Sequence, residues 1–233
     1  MGGFVKNMLT KTKKADGPDF QALYDKYVTL QQGLFTSQQA QDAGYSRQSQ
    51  SYHVKTGAWE RFGRAIFRLK HYPRPDNLQL IVAYLWATDK SGRAEAVISH
   101  DSALHHYDLS TAWPEGVDLS VPKGFRREGS CAFKTRLHPS QPRPNDIKHL
   151  GFMRITSPFR TVVDLLTTNR LESKHLREAI TEGLRKGKIT YWDMLDGELT
   201  AQEEHLLYEL LRSVDYKELD ELRQSRAAKT SSP

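Results

Sequence analysis

The chain has 233 residues, 38% of them hydrophobic, and a formal net charge of +6, which is enough apolar material for one large domain or two modest ones. No run approaches the ~20 apolar residues that a membrane span requires, and the opening MGGFVKNMLTKTKK lacks the apolar stretch and cleavage site of a signal peptide. Lys6 stands where a myristoylation motif wants Ser or Thr, and a lone cysteine, Cys131, excludes an internal disulfide and a multi-cysteine zinc site; a cytoplasmic protein without membrane partners is expected.

The charge is unevenly spread. Residues 1–74 hold 12 Lys and Arg against 5 Asp and Glu, whereas residues 75–233 hold 22 against 23. A basic excess confined to the first third points to an anionic partner met by that third. Residues 1–17 read as a flexible basic arm. Phe20, Leu23, Tyr24, Tyr27 and Val28 then fall at the spacing of an amphipathic helix, ended by Gly33. Thr36 and Gln39 have capping-box spacing, which predicts a short second helix to Ala43 that stops at Gly44. Ser46 caps a third helix, and Gly57 suits its left-handed C-terminal position. Trp59, Arg61, Phe62, Ile66, Phe67 and Leu69, on either side of Gly63, read as a β-hairpin over 58–69. Three helices and a hairpin in this order describe a winged helix-turn-helix over residues 18–74.

Tyr72-Pro-Arg-Pro75 marks a boundary. Residues 75–222 read as a mixed α/β domain, so the expected fold class is α+β. A buried helix is predicted over 77–88, a strand over 95–99 and a short helix over 101–107. Val117, Leu119 and Val121 alternate with polar residues, as in a half-exposed strand. Further strands are predicted over 131–137 and 151–156. Ser157-Pro158 opens a helix through Leu166, another runs from Ser173 to Lys186 and closes at Gly187, and Thr200 with Glu203 caps a last, leucine-rich helix. Residues 223–233 read as a polar tail.

The third helix has Val54 as its only aliphatic residue. Phased on Val54, position 50 points inward, and Arg47, Gln48, Ser51, Tyr52 and Lys55 share one open face. Arg can fork onto guanine and Gln onto adenine, while Ser, Tyr and Lys serve phosphates and fix register. Arg61, Arg64 and Arg68 of the hairpin stand where a wing would touch the backbone. These eight residues are the candidate DNA-binding set; a plain solvated, polar helix face is the alternative.

The stretch SRQSQSYHVKTGAWERFGRAIFRL, from Ser46 to Leu69, resembles the N-terminal winged helix of AbiEi-like antitoxins of type IV toxin–antitoxin systems. The resemblance rests on Ser46-Arg47, on the spacing of Val54, Gly57, Trp59 and Arg61, and on Phe67-Arg68. AVISHDSALHHYDLS, VDLSVP and ITSPFRTVVDLL are similar to later segments of that family, so the likeness spans about residues 20–195. Two positions depart from it: Gln50, where the family usually carries an aliphatic residue, and Ala65, where it carries glycine. The resemblance implies a winged helix that binds double-stranded DNA at repeats in its own operon's promoter and represses it. It further implies a C-terminal domain that counters a nucleotidyltransferase-type toxin, directly or indirectly.

Motifs for catalysis are sparse. His100, His105 and His106 lie near Asp101 and Asp108, but the histidine spacing does not put a ligand pair on one helix face, and packing is the favoured role over a metal site. Arg160 and Asp164 are i, i+4 neighbours able to pair on a helix. There is no Walker-type glycine loop, Gly-x-Ser-x-Gly elbow or HExxH, and no cofactor or enzymatic activity is expected. A stand-alone transcription factor with a ligand-sensing or dimerising second domain is the alternative to the antitoxin. An enzyme that uses the winged helix only for targeting is a third reading.

Overall fold

The computed structural model describes residues 17–89, 92–109, 114–169 and 171–212; the expected polar tail, and all but the last residue of the expected arm, lie outside them. The fold is α+β with two sheets. α1 (Phe20–Leu23) runs on into a π-helical turn (Tyr24–Val28), followed by β1 (Leu34–Thr36), α2 (Ser37–Asp42), α3 (Arg47–Lys55), β2 (Trp59–Phe62) and β3 (Ile66–Leu69). The three strands form an antiparallel sheet in the order β1-β3-β2. β1 adds a strand to the expected hairpin; at three residues it is too short to show an alternation.

Local chemistry accounts for the helix ends. Thr36 and Gln39 form the capping box in both directions, with Gln39 N donating to Thr36 Oγ1 at 3.2 Å and Thr36 N donating to Gln39 Oε1 at 2.8 Å. Ser46 Oγ accepts from Ser49 N at 3.1 Å and starts α3. Between the two helices Gly44 has φ +85, and a Cβ there would stand 2.5 Å from the Gly17 carbonyl oxygen, so only glycine fits this turn.

The small sheet is covered on both faces. Phe35 and Phe67 pack with Leu23, Val28, Tyr45 and Trp59 in an aromatic core under α1–α3. On the opposite face, Leu34 and Ile66 pack against α4 (Leu78–Trp86). That helix is apolar nearly all round, as a helix buried between two layers must be. Its far side meets the second sheet, so one hydrophobic core runs from β1 and β3 through α4 to β4, β5 and β8.

The second sheet comprises β4 (Val97–Ile98), β5 (Val117–Val121), β6 (Thr135–Pro139), β7 (Ile147–Leu150) and β8 (Met153–Thr156), in the order β6-β5-β4-β8-β7. β5 is parallel to β6 and β4 to β8, and the other pairs are antiparallel. α5 (His100–His106) packs on β5, and α6 (Pro158–Thr168), α7 (Ser173–Lys186) and α9 (Ala201–Arg212) form a helical core with Leu104 of α5. α8 (Tyr191–Asp196) and β7 join the predicted elements.

Two expectations are corrected. β5 is not half-exposed: Asp118 and Ser120 are as buried as Val117, Leu119 and Val121, because α5 covers the polar face and each polar side chain finds a hydrogen bond there. The strand expected over 131–137 lies at Thr135–Pro139, since residues 131–134 belong to an irregular segment against the hairpin. No helix among the described residues is long and apolar enough to cross a membrane.

Candidate nucleic-acid interface

α3 is held by its inner face. Gln50, only 2% exposed, donates from Nε2 to the carbonyls of Tyr45 (3.0 Å) and Ser37 (3.1 Å) and accepts from Ser37 Oγ at 2.7 Å. All three bonds reach α2 or the turn that follows it, so a polar side chain locks the two helices where an aliphatic contact would ordinarily serve. His53 stacks on Trp59 at 4.8 Å and 18°, with Tyr45 against both rings.

The outer face carries Arg47, Gln48, Ser51, Tyr52 and Lys55, all exposed. Five hydrogen-bonding side chains therefore stand together on a helix whose orientation is fixed from below. Ser51 Oγ donates to the Arg47 carbonyl at 3.0 Å, which leaves its oxygen free to accept. Tyr52 is 64% exposed, a large ring in water on an otherwise polar surface.

The hairpin arginines divide. Arg61 is exposed, its guanidinium 5.3 Å from the centroid of the Phe67 ring. Arg64 is exposed at the hairpin turn, 3.7 Å from Glu128. Arg68 is not at the surface and is removed from the candidate set. It lies 7% exposed on the central strand, on the same sheet face as Ile66. Its Nε and a terminal nitrogen both meet Glu60 at 2.9 Å, and Nη1 donates to the Tyr72 carbonyl at 2.6 Å. With these donors engaged, Arg68 stitches β3 to β2 and to the chain leaving the hairpin.

A second polar cluster lies under α5. Arg136 forks onto Asp118 with two bonds of 2.9 Å and reaches Asp101 at 2.9 Å, while His138 Nε2 stands 2.8 Å from Asp118 Oδ1. The His100 ring stacks on His138 at 3.5 Å, and its Nδ1 lies 2.9 Å from Ser99 Oγ. Burial pushes the Asp118 carboxyl up, but the hydrogen bonds of His138 and Arg136 outweigh it and hold it below its ordinary value. His100 thus faces the sheet, while His106 is exposed beside Tyr107; among the described residues no three His, Cys, Asp or Glu side chains converge as metal ligands would.

Arg160 and Asp164 do pair, at 2.7 Å, but in a buried setting that also includes Glu203 at 2.5 Å. Burial raises Asp164 to about 6, ahead of the opposing pull of Arg160. Asp164 Oδ2 finds no hydrogen-bond partner among the described residues. Glu203 meets a burial penalty too, but the bond from Arg160 and those from Thr200 bring it below its ordinary value.

Reading residues singly missed Asp118, Arg136 and His138, which are 20 positions apart at most and converge only through the parallel pairing of β5 and β6. The role of Gln50 was foreshadowed by its inward phase. Compared with known proteins, the chain matches no family model and no curated protein.

Proposed function

We propose that residues 18–74 are a winged helix-turn-helix and that the chain is a DNA-binding antitoxin that represses its own operon. The observation that carries the DNA-binding half is the outer face of α3. Arg47, Gln48, Ser51, Tyr52 and Lys55 are exposed together on a helix pinned from beneath by Gln50. In this reading α3 enters the major groove, with Arg47 and Gln48 on base edges and Ser51, Tyr52 and Lys55 on phosphates. Arg61 and Arg64 touch the flanking backbone. The order of elements, with two helices joined by a glycine turn and followed by a hairpin, supports it. The antitoxin half rests on the sequence resemblance over about residues 20–195. It assigns the second sheet and its helices to countering a nucleotidyltransferase-type toxin.

The experiment is an anisotropy titration of the full chain on the DNA directly upstream of its gene, beside an unrelated fragment, at two salt concentrations. Tight, salt-sensitive and selective binding is expected. Equal binding to both fragments would reduce the interface to a basic surface. Co-expression with the neighbouring toxin gene tests the second half, with restored growth as the expected result.

A further inference from the structure

The hairpin turn does not stand alone in solvent. The segment between β5 and β6, residues 122–134, packs along it: Phe62 stacks on Phe133 with ring centres 6.1 Å apart. A Cβ at Gly63, where φ is +65, would meet Ala132 at 3.8 Å and the Ser130 carbonyl at 3.9 Å. Arg64 is 3.7 Å from Glu128. The segment is itself anchored on the end of α4, because the Phe125 ring lies 6.0 Å from Trp86, Trp86 Nε1 donates to the Gly129 carbonyl and Arg127 Nε donates to the Trp86 carbonyl. It is therefore a placed element, anchored on the end of α4 before its contact with the hairpin and running into β6 after it.

The segment is also basic, with Lys123, Arg126, Arg127 and Lys134 against Glu128. Arg127 is engaged with Trp86, and Lys134 pairs with Glu115 at 3.1 Å. Lys123 and Arg126 are exposed and have no carboxylate partner among the described residues. We propose that residues 122–134 are a second DNA-contacting element, in which Arg126 and Lys123 bind backbone phosphates beyond those met by Arg61 and Arg64. The inference rests on the DNA-binding reading of α3 and the hairpin. Duplex DNA carries a charge for every ~1.7 Å of its axis, so exposed cations on a segment packed against the hairpin turn add to the charge that meets phosphates there. Glu128 has the opposite effect. It holds Arg64 in the free chain and adds a negative charge where phosphates approach; so exposed a pair yields to a phosphate but lowers affinity.

The test is fluorescence anisotropy of the full chain on its upstream DNA and on an unrelated duplex, from 50 to 200 mM salt. The variants are Lys123→Ala with Arg126→Ala, Glu128→Gln, and Lys55→Ala as the α3 reference. Two lost phosphate contacts should make the plot of log affinity against log salt shallower by about 1.8, roughly 0.9 each. Binding should weaken to a similar degree on both duplexes. Glu128→Gln should bind several-fold more tightly, a sign that loss of packing would not give. Unchanged slope and affinity in the double variant, with Lys55→Ala still weakened, would overturn this inference and leave the α3 reading standing. A wild-type chain that binds neither duplex would overturn both.

Discussion

Ser37 and Gln50 exchange hydrogen bonds across the gap between α2 and α3, the hydroxyl of one donating to the amide oxygen of the other at 2.7 Å and the amide nitrogen returning to the Ser37 carbonyl at 3.1 Å. The pair sets the angle at which the exposed face of α3 is presented. Gln50→Ala should cost about 1–3 kcal/mol, because it takes the donor from the shielded Tyr45 carbonyl, while the Ser37 carbonyl keeps the Gln41 amide. Gln50→Glu should cost more at pH 7, since it turns a carboxylate toward those carbonyls, and should recover at pH 5 as the new acid takes a proton. Urea melts at both pH values distinguish the two. Equal midpoints for both variants would show that the amide nitrogen does not face the carbonyls.

Arg47→Ala and Lys55→Ala should both weaken DNA binding, in different ways. Loss of Arg47 should relax base preference at one position by ~1–3 kcal/mol, whereas loss of Lys55 should act alike on every sequence. Competition binding on a panel of single-base operator variants separates these effects. Both variants binding as wild type does would refute the assignment of α3.

Arg68→Ala should behave otherwise. It removes the partner of Glu60 and leaves the Tyr72 carbonyl without its donor, which is expected to cost about 2–4 kcal/mol of stability. Protein that remains folded should keep its salt dependence on DNA. A shallower salt slope with an unchanged melting temperature would return Arg68 to the DNA-binding set.

Asp164 supplies a pH dependence with a definite sign. Its carboxyl sits at about 6 in the folded chain, above the ~3.9 of an unfolded aspartate. The folded state holds this proton more tightly, so the stability it contributes is complete below about pH 4 and is lost as pH rises through 6. Asp164→Asn cannot ionise, and the gap between variant and wild type should move in the variant's favour by roughly 2 kcal/mol between pH 4 and 7. Glu203 works in the other direction. Its lowered carboxyl contributes above about pH 4.5 and loses that contribution on acidification, so the wild-type curve alone is flattened and the difference curve is the informative one.

A fragment ending at residue 74 should fold poorly. It keeps Leu34 and Ile66 but removes α4, which covers them, so two large side chains meet water at ~1.5–3 kcal/mol each. A fragment ending at residue 89 restores that cover and should give a sharper thermal transition, but it bares the face of α4 that packs on the second sheet and should still aggregate by light scattering. Equal behaviour would show that the small sheet is stable without that cover.

Much of this was legible in the sequence, because caps and periods are local. Thr36 with Gln39, Ser46, Gly57, Ser157-Pro158 and Gly187 end their helices where their chemistry places them. The polar face of α3 followed from a phase set by Val54. What escaped depends on partners distant in sequence. Arg68 reads as a surface cation until β1 makes its strand central and α4 covers the same face. Asp118 and Ser120 read as solvent-facing until α5 covers them. Thr200 and Glu203 read as a cap, which they form at 3.3 and 2.8 Å, but only folding carries Glu203 to Arg160.

α4 leaves no slack between the two sheets. Domains joined by a loose tether sample many relative angles and can adapt to binding sites set at different distances along a duplex. Here the joint is itself core, so turning one sheet against the other means breaking the packing of Leu34 and Ile66 on α4. Two copies seated on neighbouring repeats would each carry their second sheet at a set angle, and the helical phase between repeats would decide whether those sheets meet. Inserting half a turn of DNA between repeats would then abolish any cooperation between copies, while inserting a whole turn would restore the facing.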